Sequence, residues 1–391
     1  MPGTGRTYYI AGAGIAGMTL ALALAKFGAT VVILERSLTA SEFGAGLQIS
    51  PNARKILNNL GLDRALSARS LEPAGIDIYP YRRPDPLVTL ELGAVMQHRF
   101  GAPYAVMHRA DLADALYKAC RRFANIDILF GIRNWDVVSH ARGITVSIDE
   151  ANGQTRTGRG HAFIGADGVH SRTRTDLLGG RAARYTGSAA WRTLLQASAT
   201  EGKIPLDRVS VFLARDVHAV AYPLPHRGQV NLALFAPQHD PADKAARPTL
   251  PRSIARWPLL SAIIEAAGDW TSWPLYTVDT PLWHAGNIGL AGDAAHAMVP
   301  FQAQGAAMGI EDAAALAPLL IGEASAEAAF EKYQKLRRPR VTRVAGVSAG
   351  NGRIFHLPWP LSTARDTVIG LQGSRGHLRR LAWLYGHEVD S

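Results

Sequence analysis

Sulfur chemistry is nearly absent from this chain: its 391 residues include one cysteine, Cys120. No internal disulfide framework can brace the fold, and the composition suits a reducing compartment, so a cytoplasmic protein is expected. Cys120 falls mid-helix and reads as a small core residue. No His/Cys/Asp cluster has metal-ligand spacing, so no metal is expected. The Gly-x-Ser-x-Gly elbow of a serine nucleophile is missing, as are internal repeats and low-complexity tracts. The apolar N-terminal stretch is broken by Gly12, Gly14 and Gly17 and carries Lys26, which leaves it too short and too glycine-rich for a membrane span. It runs directly into a charged strand end at Glu35, unlike a cleaved signal.

Acid is in shorter supply than base, giving a formal net charge of +10. The arginines are scattered, and the densest cluster, "KLRRPR" at 335–340, is short; it reads as a solvated helix end, and no nucleic-acid partner is expected. A basic field would still attract anionic substrates and reduced pyridine nucleotides. A hydrophobic content of 47% with 38 glycines points to a filled core with many tight turns. The length suits one large two-part domain or two or three smaller ones.

"TYYIAGAGIAGMTLALALAKFGATVVILER" reads as strand, glycine turn, helix, strand, with apolar runs at Tyr8–Ala11 and Val31–Leu34 around an alanine- and leucine-rich helix. Helices are predicted over 51–62, opened by Pro51 and closed by Gly61, and over 111–122 with Asp111 as cap. Segments 126–130, 135–139 and 143–149 read as a strand meander. "VSVFLA", "HAVAYPL" and "QVNLALFA" follow as alternating strands, then a helix at 251–267, a strand at 273–278 and helices through most of 305–391. The pattern is a nucleotide-binding α/β body interrupted by β-rich inserts.

Gly12-x-Gly14-x-x-Gly17 lies between strand and helix, where glycines let the chain turn tightly and a pyrophosphate approach the helix N-terminus. Glu35 ends the next strand, 18 residues after Gly17, where a carboxylate can accept from ribose hydroxyls. This part alone does not separate FAD from NAD. "GADGVHSRTR" at 165–174 follows an apolar strand, and its Asp-Gly pair alone reads as a turn. "GLAGDAAH" at 289–296 also follows a strand, and Asp293 alone reads equally as a helix cap.

Together and in this order, these segments resemble the FAD-dependent aromatic hydroxylases, the single-component flavoprotein monooxygenases. The resemblance spans nearly the whole chain and includes "FGAGLQISPNARKILNNLGL" (43–62), "MHRADLADALYKA" (107–119) and "WLYG" (383–386). Within the family it leans toward the salicylate, 3-hydroxybenzoate and 6-hydroxynicotinate hydroxylases. It implies an FAD-binding Rossmann-like body at 1–71, 99–180 and 278–330, an inserted β-sheet substrate domain at 72–98 and 181–277, and a helical C-terminus at 331–391. It places Gly12, Gly14, Ile15, Ala16 and Gly17 at the FAD pyrophosphate, Glu35 and Arg36 at the adenosine ribose, and Gln48 and Arg109 against the cofactor, Arg109 at its phosphates. Asp167 and Gly168 belong to the segment shared between FAD and NAD(P)H binding, and Asp293 would hold a ribityl hydroxyl. The amides of Gly305, Ala306 and Ala307 would face the negative charge of reduced flavin, since small residues permit close backbone approach. Pro300 would lie near the reactive flavin edge. In "GAGLQIS", Gln48 stands where a histidine is expected in 6-hydroxynicotinate enzymes, which disfavours a hydroxypyridine carboxylate.

On a strand, His218, Val220 and Tyr222 share one face while Ala219 and Ala221 share the other. A histidine and a phenol beside an apolar residue suit a hydroxylated ring, with His218 taking the phenolic proton and Tyr222 orienting the substrate. His296 reads as a loop holder, Arg192 as structural, and Arg82 and Arg83 as a solvated hairpin. The expected activity is hydroxylation of a small phenolic or amino-substituted aromatic carboxylate with NADH or NADPH and O2, through a flavin C4a-hydroperoxide, by a monomer or homodimer. A larger polyketide- or tetracycline-like ring, or a flavin-binding sensor without turnover, are the alternatives; the first predicts a wide open pocket, the second no substrate-stimulated NAD(P)H oxidation.

Overall fold

The computed structural model describes residues 1–39, 46–242 and 247–389; residues 43–45 of the "FGAGLQIS" segment lie outside them. The strand Thr7–Ala11 sits inside a six-stranded sheet, flanked by Ala162–Gly165 and Thr30–Leu34, both parallel to it. Burial on both sides explains the unbroken apolar character of these strands: Tyr8, Ile10, Val31 and Ile33 face helices, while Tyr9, Ala11, Leu34 and Phe163 face Ile144, Val146 and Ile148 of an antiparallel sheet. The helix Ile15–Lys26 leaves the carboxyl end of the first strand and packs against helices Gly305–Gly322 and Arg109–Cys120. Ligands of open parallel sheets gather at that end. Cys120 is fully buried, and burial pushes its thiol up to about 12, so it is an inert core residue.

Three local expectations need correction. Ile126–Leu129 does not belong to a meander: it pairs parallel with Thr30–Leu34 at the sheet edge, because the helix Arg109–Cys120 carries the chain across as a crossover connection. Only Ile132–His140, Gly143–Glu150 and Thr155–Gly160 form the antiparallel meander. The helix expected at 111–122 starts at Arg109, capped by the His108 ring, whose Nδ1 accepts from the Ala110 amide; the Asp111 carboxylate instead binds His226 and Arg227. The helix expected at 251–267 is two, Arg252–Ala255 and Pro258–Glu265, since Pro258 cannot donate within a continuous helix and opens a new one.

The two inserts fold into one seven-stranded sheet. Gly75–Tyr79 of the first pairs parallel with Arg208–Ala214 of the second, and the remaining ladders are antiparallel. One face of this sheet, with Phe212, Ala219, Ala221 and Leu234, packs on Trp257, Leu260 and Ile263. The other face looks across a cavity toward the first body and the C-terminal helices Ala326–Phe355 and Leu361–Tyr385. Helix Gly305–Gly322 is long and apolar enough to cross a membrane by length and composition. It lies mostly buried against Ile15–Lys26 and Ala326–Phe355, with Glu311 and Asp312 held in ion pairs, which makes it a core helix.

Candidate active site

Two helix starts open onto one cavity of ≈ 1020 Å³. Gly14 begins the first helix without a side-chain cap, and its first turn holds no acid. Gln304 precedes the second, again with no side-chain cap and no acid in the first turn. Gly14, Ile15 and Ala16 from one end and Gly305 and Ala306 from the other line the cavity, so unsatisfied amides and two positive dipole ends border it. Ala307 is buried in the core.

Gly12 and Gly17 work from behind this wall. Gly12 has φ +100°, and a Cβ there would lie 2.5 Å from the Ala166 carbonyl oxygen; one on Gly17 would lie 2.1 Å from the Gly12 oxygen. Glu35 closes the same turn, its carboxylate accepting from the Ala13 and Ser37 amides, each at 2.8 Å, while Arg36 is exposed. Arg109 and Gln48 line the cavity, and Gln48 accepts from the Tyr104 hydroxyl.

Asp293 also lines the cavity and is exposed to it. Its position is fixed from below. Gly292 has φ +61°, and a Cβ on it would meet the Ala16 Cβ at 2.9 Å, so the loop presses directly on the glycine-turn helix. The Gly292 amide donates to the Asp312 carboxylate at 2.9 Å, which also binds His296 Nε2 at 2.5 Å. His296 is therefore a loop holder. Asp167 serves a related end: it accepts from Ser171 Oγ at 2.5 Å and from the Thr173 amide and hydroxyl at 3.0 Å, forming a tight turn. That turn places buried Arg174, whose Nη1 donates to the Ala294 carbonyl at 2.8 Å. Gly168, next to Asp167, lines the cavity.

The "KLRRPR" cluster is corrected by the structure. Arg337 is buried, 2.6 Å from Glu311 and 2.8 Å from Asp312, and Arg340 binds Glu311 at 2.7 Å. Burial alone would raise the Glu311 and Asp312 carboxyls, but the arginines, with His296 at Asp312 and Arg340 foremost at Glu311, hold both below the usual range. The local sequence shows charges on a helix; only the fold shows their partners on the helix before it.

The cavity face of the large sheet carries His218, Val220 and Tyr222 in alternation, with Ala233 and Phe235 on the next strand. His218 is 1% exposed, stacks on Phe235 at 4.5 Å and shares a 2.8 Å hydrogen bond between its Nδ1 and His356 Nε2. Burial, then the neighbouring His356, push its pKa well below that of free histidine. Burial likewise raises the Tyr222 phenol, which Arg192 only partly opposes, so it stays protonated at neutral pH. Pro300 lines the cavity, and Arg82 and Arg83 are exposed away from it.

Arg192, Asn231 and His356 were not singled out as site residues by sequence. Arg192 lines the cavity; its Nη1 donates to the Gly46 carbonyl at 3.2 Å while its Nε is buried without a hydrogen-bond partner. Asn231 accepts from the Gly46 amide at 2.7 Å. Alternation with buried Trp191 was the available signal for Arg192. His356 offered none, because its partner lies far away in sequence.

Gly305 provides a test of fit for a flavin here. A Cβ on it would meet nothing within 4 Å, so the helix start leaves open space where a planar anionic ring needs backbone amides. Gly305→Leu sets its Cβ in that open space. Flavin affinity should drop about tenfold or more, equal to ~1.4 kcal/mol, with the unfolding midpoint of the flavin-free protein unchanged. Undiminished affinity in a flavin titration would remove Gly305 from the cradle.

The chain matches the family model described as FAD binding domain over residues 7–348. It is 34% identical to a 3-amino-4-hydroxybenzoate 2-monooxygenase of Streptomyces platensis, covering 97% of this chain and 96% of that protein. It is 31% identical to a 6-hydroxynicotinate 3-monooxygenase of Bordetella bronchiseptica, covering 88% and 90%. The crystal structure of an HpxO variant of Klebsiella pneumoniae complexed with FAD shares the fold, with a TM-score of 0.81 at 21% identity over 96% of this chain and 97% of that one. With the cradle, the acid loop and the sheet wall in place, the chain belongs to the FAD-dependent aromatic hydroxylases of the FAD-binding domain family.

Proposed function

We propose that this enzyme hydroxylates a small aromatic carboxylate bearing a phenolic hydroxyl or an amino group, using NADH or NADPH and O2. The observation that carries the substrate class is the charge balance of the cavity. Arg109, Arg192 and Arg380 line it, with Arg365 paired to Asp366, against a single lining acid, Asp293, among the described residues. Such a field draws in an anion.

FAD, once reduced by the pyridine nucleotide, supplies the activated oxygen. The glycine turn with Gly14, Ile15 and Ala16 would hold its pyrophosphate with Arg109, Glu35 and Arg36 would serve the adenosine end, Gln48 would border the cofactor, and Asp293 would take a ribityl hydroxyl. Gly305 and Ala306 would offer amides to the anionic part of the ring, and Pro300 would lie beside its reactive edge. Asp167 and Gly168 shape the turn between these parts. In this reading residues 1–71, 99–180 and 278–330 belong to the FAD-binding part, 72–98 and 181–277 to the substrate part, and 331–391 to the C-terminal segment.

His218 and Tyr222 stand four residues apart on one strand face, so their Cα atoms are about 13 Å apart at 3.3–3.4 Å per residue. A single ring with a hydroxyl at one end and a carboxylate at the other spans that gap through two hydrogen bonds. The phenol end belongs at His218, which is neutral and able to accept its proton. The carboxylate end belongs at Tyr222 and Arg192, where a phenol that stays protonated and a guanidinium with a spare donor meet. Drawing off the phenolic proton makes the ring electron-rich, and the apolar wall of Val220, Ala233 and Phe235 keeps water away. The enzyme works in the cytoplasm as a monomer or homodimer.

The test is aerobic NADH and NADPH oxidation by the FAD-loaded protein across hydroxybenzoates, aminohydroxybenzoates and hydroxypyridines, with product masses read from the same wells. One compound should stimulate oxidation and gain one oxygen. A panel with no stimulation anywhere would sink the small-ring assignment in favour of a larger ring or a flavin-binding protein without turnover.

A further inference from the structure

We propose that His356 is a positioning residue that relays protons between His218, at the cavity wall, and the solvent. The inference rests on the reading of His218 as acceptor of the phenolic proton, and it follows from where that proton must go next.

The His218 ring is enclosed by aromatic carbon. Phe235 stacks on it at 4.5 Å and 11°, and the edges of Phe301 and Phe355 approach at 5.1 and 5.3 Å. Among the described residues its one hydrogen-bonding partner is His356, and no carboxylate touches it. An imidazolium in such a box lacks both water and a counter-charge. His218 can accept a proton transiently but cannot keep it through the rest of a turnover.

His356 ends the helix Ala326–Phe355 and is only half-buried, so it joins the box to the surface. Its place is fixed by contacts on both sides. Asn351 on the same helix donates to the Phe301 carbonyl at 3.2 Å and to Gln302 at 2.5 Å, clamping Phe301 against both imidazoles. Arg365 donates to the Phe355 carbonyl at 2.7 Å and closes the helix end. The charged groups acting on His356 are Asp216, at the start of the His218 strand, which favours its protonation, and Arg365, which opposes it. Burial outweighs both and lowers His356 to about 4. Neither ring therefore stores the proton at neutral pH, and the pair must pass it on.

The protons balance. With His218 Nδ1–H donating to His356 Nε2, the free His218 Nε2 accepts the phenolic proton. The Nδ1 proton then crosses to His356 Nε2, and the His356 Nδ1 proton leaves to water. Both rings end neutral with their tautomers exchanged, and the reverse passage of one proton resets them. The charge leaves as a proton in bulk solvent while the phenolate remains on the substrate.

The experiment uses full-length, FAD-loaded protein labelled with 15N-histidine. The exchange rate of the His218 ring proton with solvent is compared in wild type, His356→Phe and His356→Gly. His356→Phe keeps the aromatic packing and removes the relay. The glycine variant, at a helix end that tolerates it, leaves a hole for added imidazole. Exchange should slow by roughly tenfold or more in both, a fraction of the 10²–10⁴ associated with positioned proton transfer, and imidazole should restore it only in His356→Gly. Turnover on the panel compound should follow the same pattern in kcat with KM unchanged. Exchange as fast in His356→Phe as in wild type would overturn the relay. His218→Gln with undiminished turnover would instead overturn the base assignment, and the substrate-free exchange measurement keeps the two failures apart.

Discussion

Replacing His218 by glutamine is expected to lower kcat for the aromatic substrate by about 10²–10⁴-fold, the usual contribution of a positioned general base. Glutamine approximates the size of the ring and can still bond His356, so the loss isolates proton acceptance from packing. KM should change little, because a carboxylate held at the Arg192 and Tyr222 end is untouched. The pH dependence adds a second check. A free imidazole loses its basic form as pH falls through about 6.5. Burial and His356 hold His218 well below that, so it stays neutral and competent as pH is lowered past that point. The kcat profile should therefore be flat through the region where free histidine titrates and fall only at lower pH. A shoulder near the free-histidine value would mean that His218 is solvated in the working enzyme. Turnover by the glutamine variant at the wild-type rate would dismiss His218 as the base.

Arg337→Met should destabilise the protein by about 3–5 kcal/mol, the cost of removing one partner from a buried ion pair. Glu311 and Asp312 are fully buried and would lose the guanidinium that bridges them, keeping Arg340, His387 and Asn52 at Glu311 and His296 and the Gly292 amide at Asp312. Denaturant titrations of the flavin-free chains measure the loss. The acid side is diagnostic. Both carboxyls are depressed in the folded state, so their stabilisation is complete above the unfolded values of about 3.9 and 4.3 and is lost as pH falls through the lower folded ones. Removing Arg337 raises the folded values toward the unfolded ones, so the acid limb of the stability curve should keep its onset but become shallower and end at higher pH. Because Asp312 also holds the Gly292 amide, flavin affinity should fall with stability. An unchanged denaturation midpoint would mean that water reaches the cluster.

Local chemistry carried much of this architecture into the sequence. The Gly12 to Gly17 spacing and the Asp293 loop were visible because tight turns and helix starts are written in neighbouring residues. The shared face of His218, Val220 and Tyr222 followed from strand alternation. What was not visible depends on partners distant in the chain. Arg337 looks like surface charge until Glu311 and Asp312 are placed beside it, and Asp111 looks like a cap until Arg227 arrives. Ile126–Leu129 carries the same apolar signal in a meander or a parallel edge. His356 is an ordinary helix-end histidine until the fold sets its ring against His218.

The pairing of Gly75–Tyr79 with Arg208–Ala214, and of Ala162–Gly165 with Ile288–Leu290, also governs when this protein can begin to work. Both are parallel ladders between segments far apart in the chain, the kind of contact whose loop-closure entropy must be met before it returns any stability. The substrate wall cannot exist until the second insert has been made, and the acid loop and second helix start come later still. On the ribosome the glycine-turn helix emerges early and waits for Gly305–Gly322 to cover it. Cofactor capture is thus a late event in synthesis, and an early-released fragment would expose an apolar helix with no cradle to close.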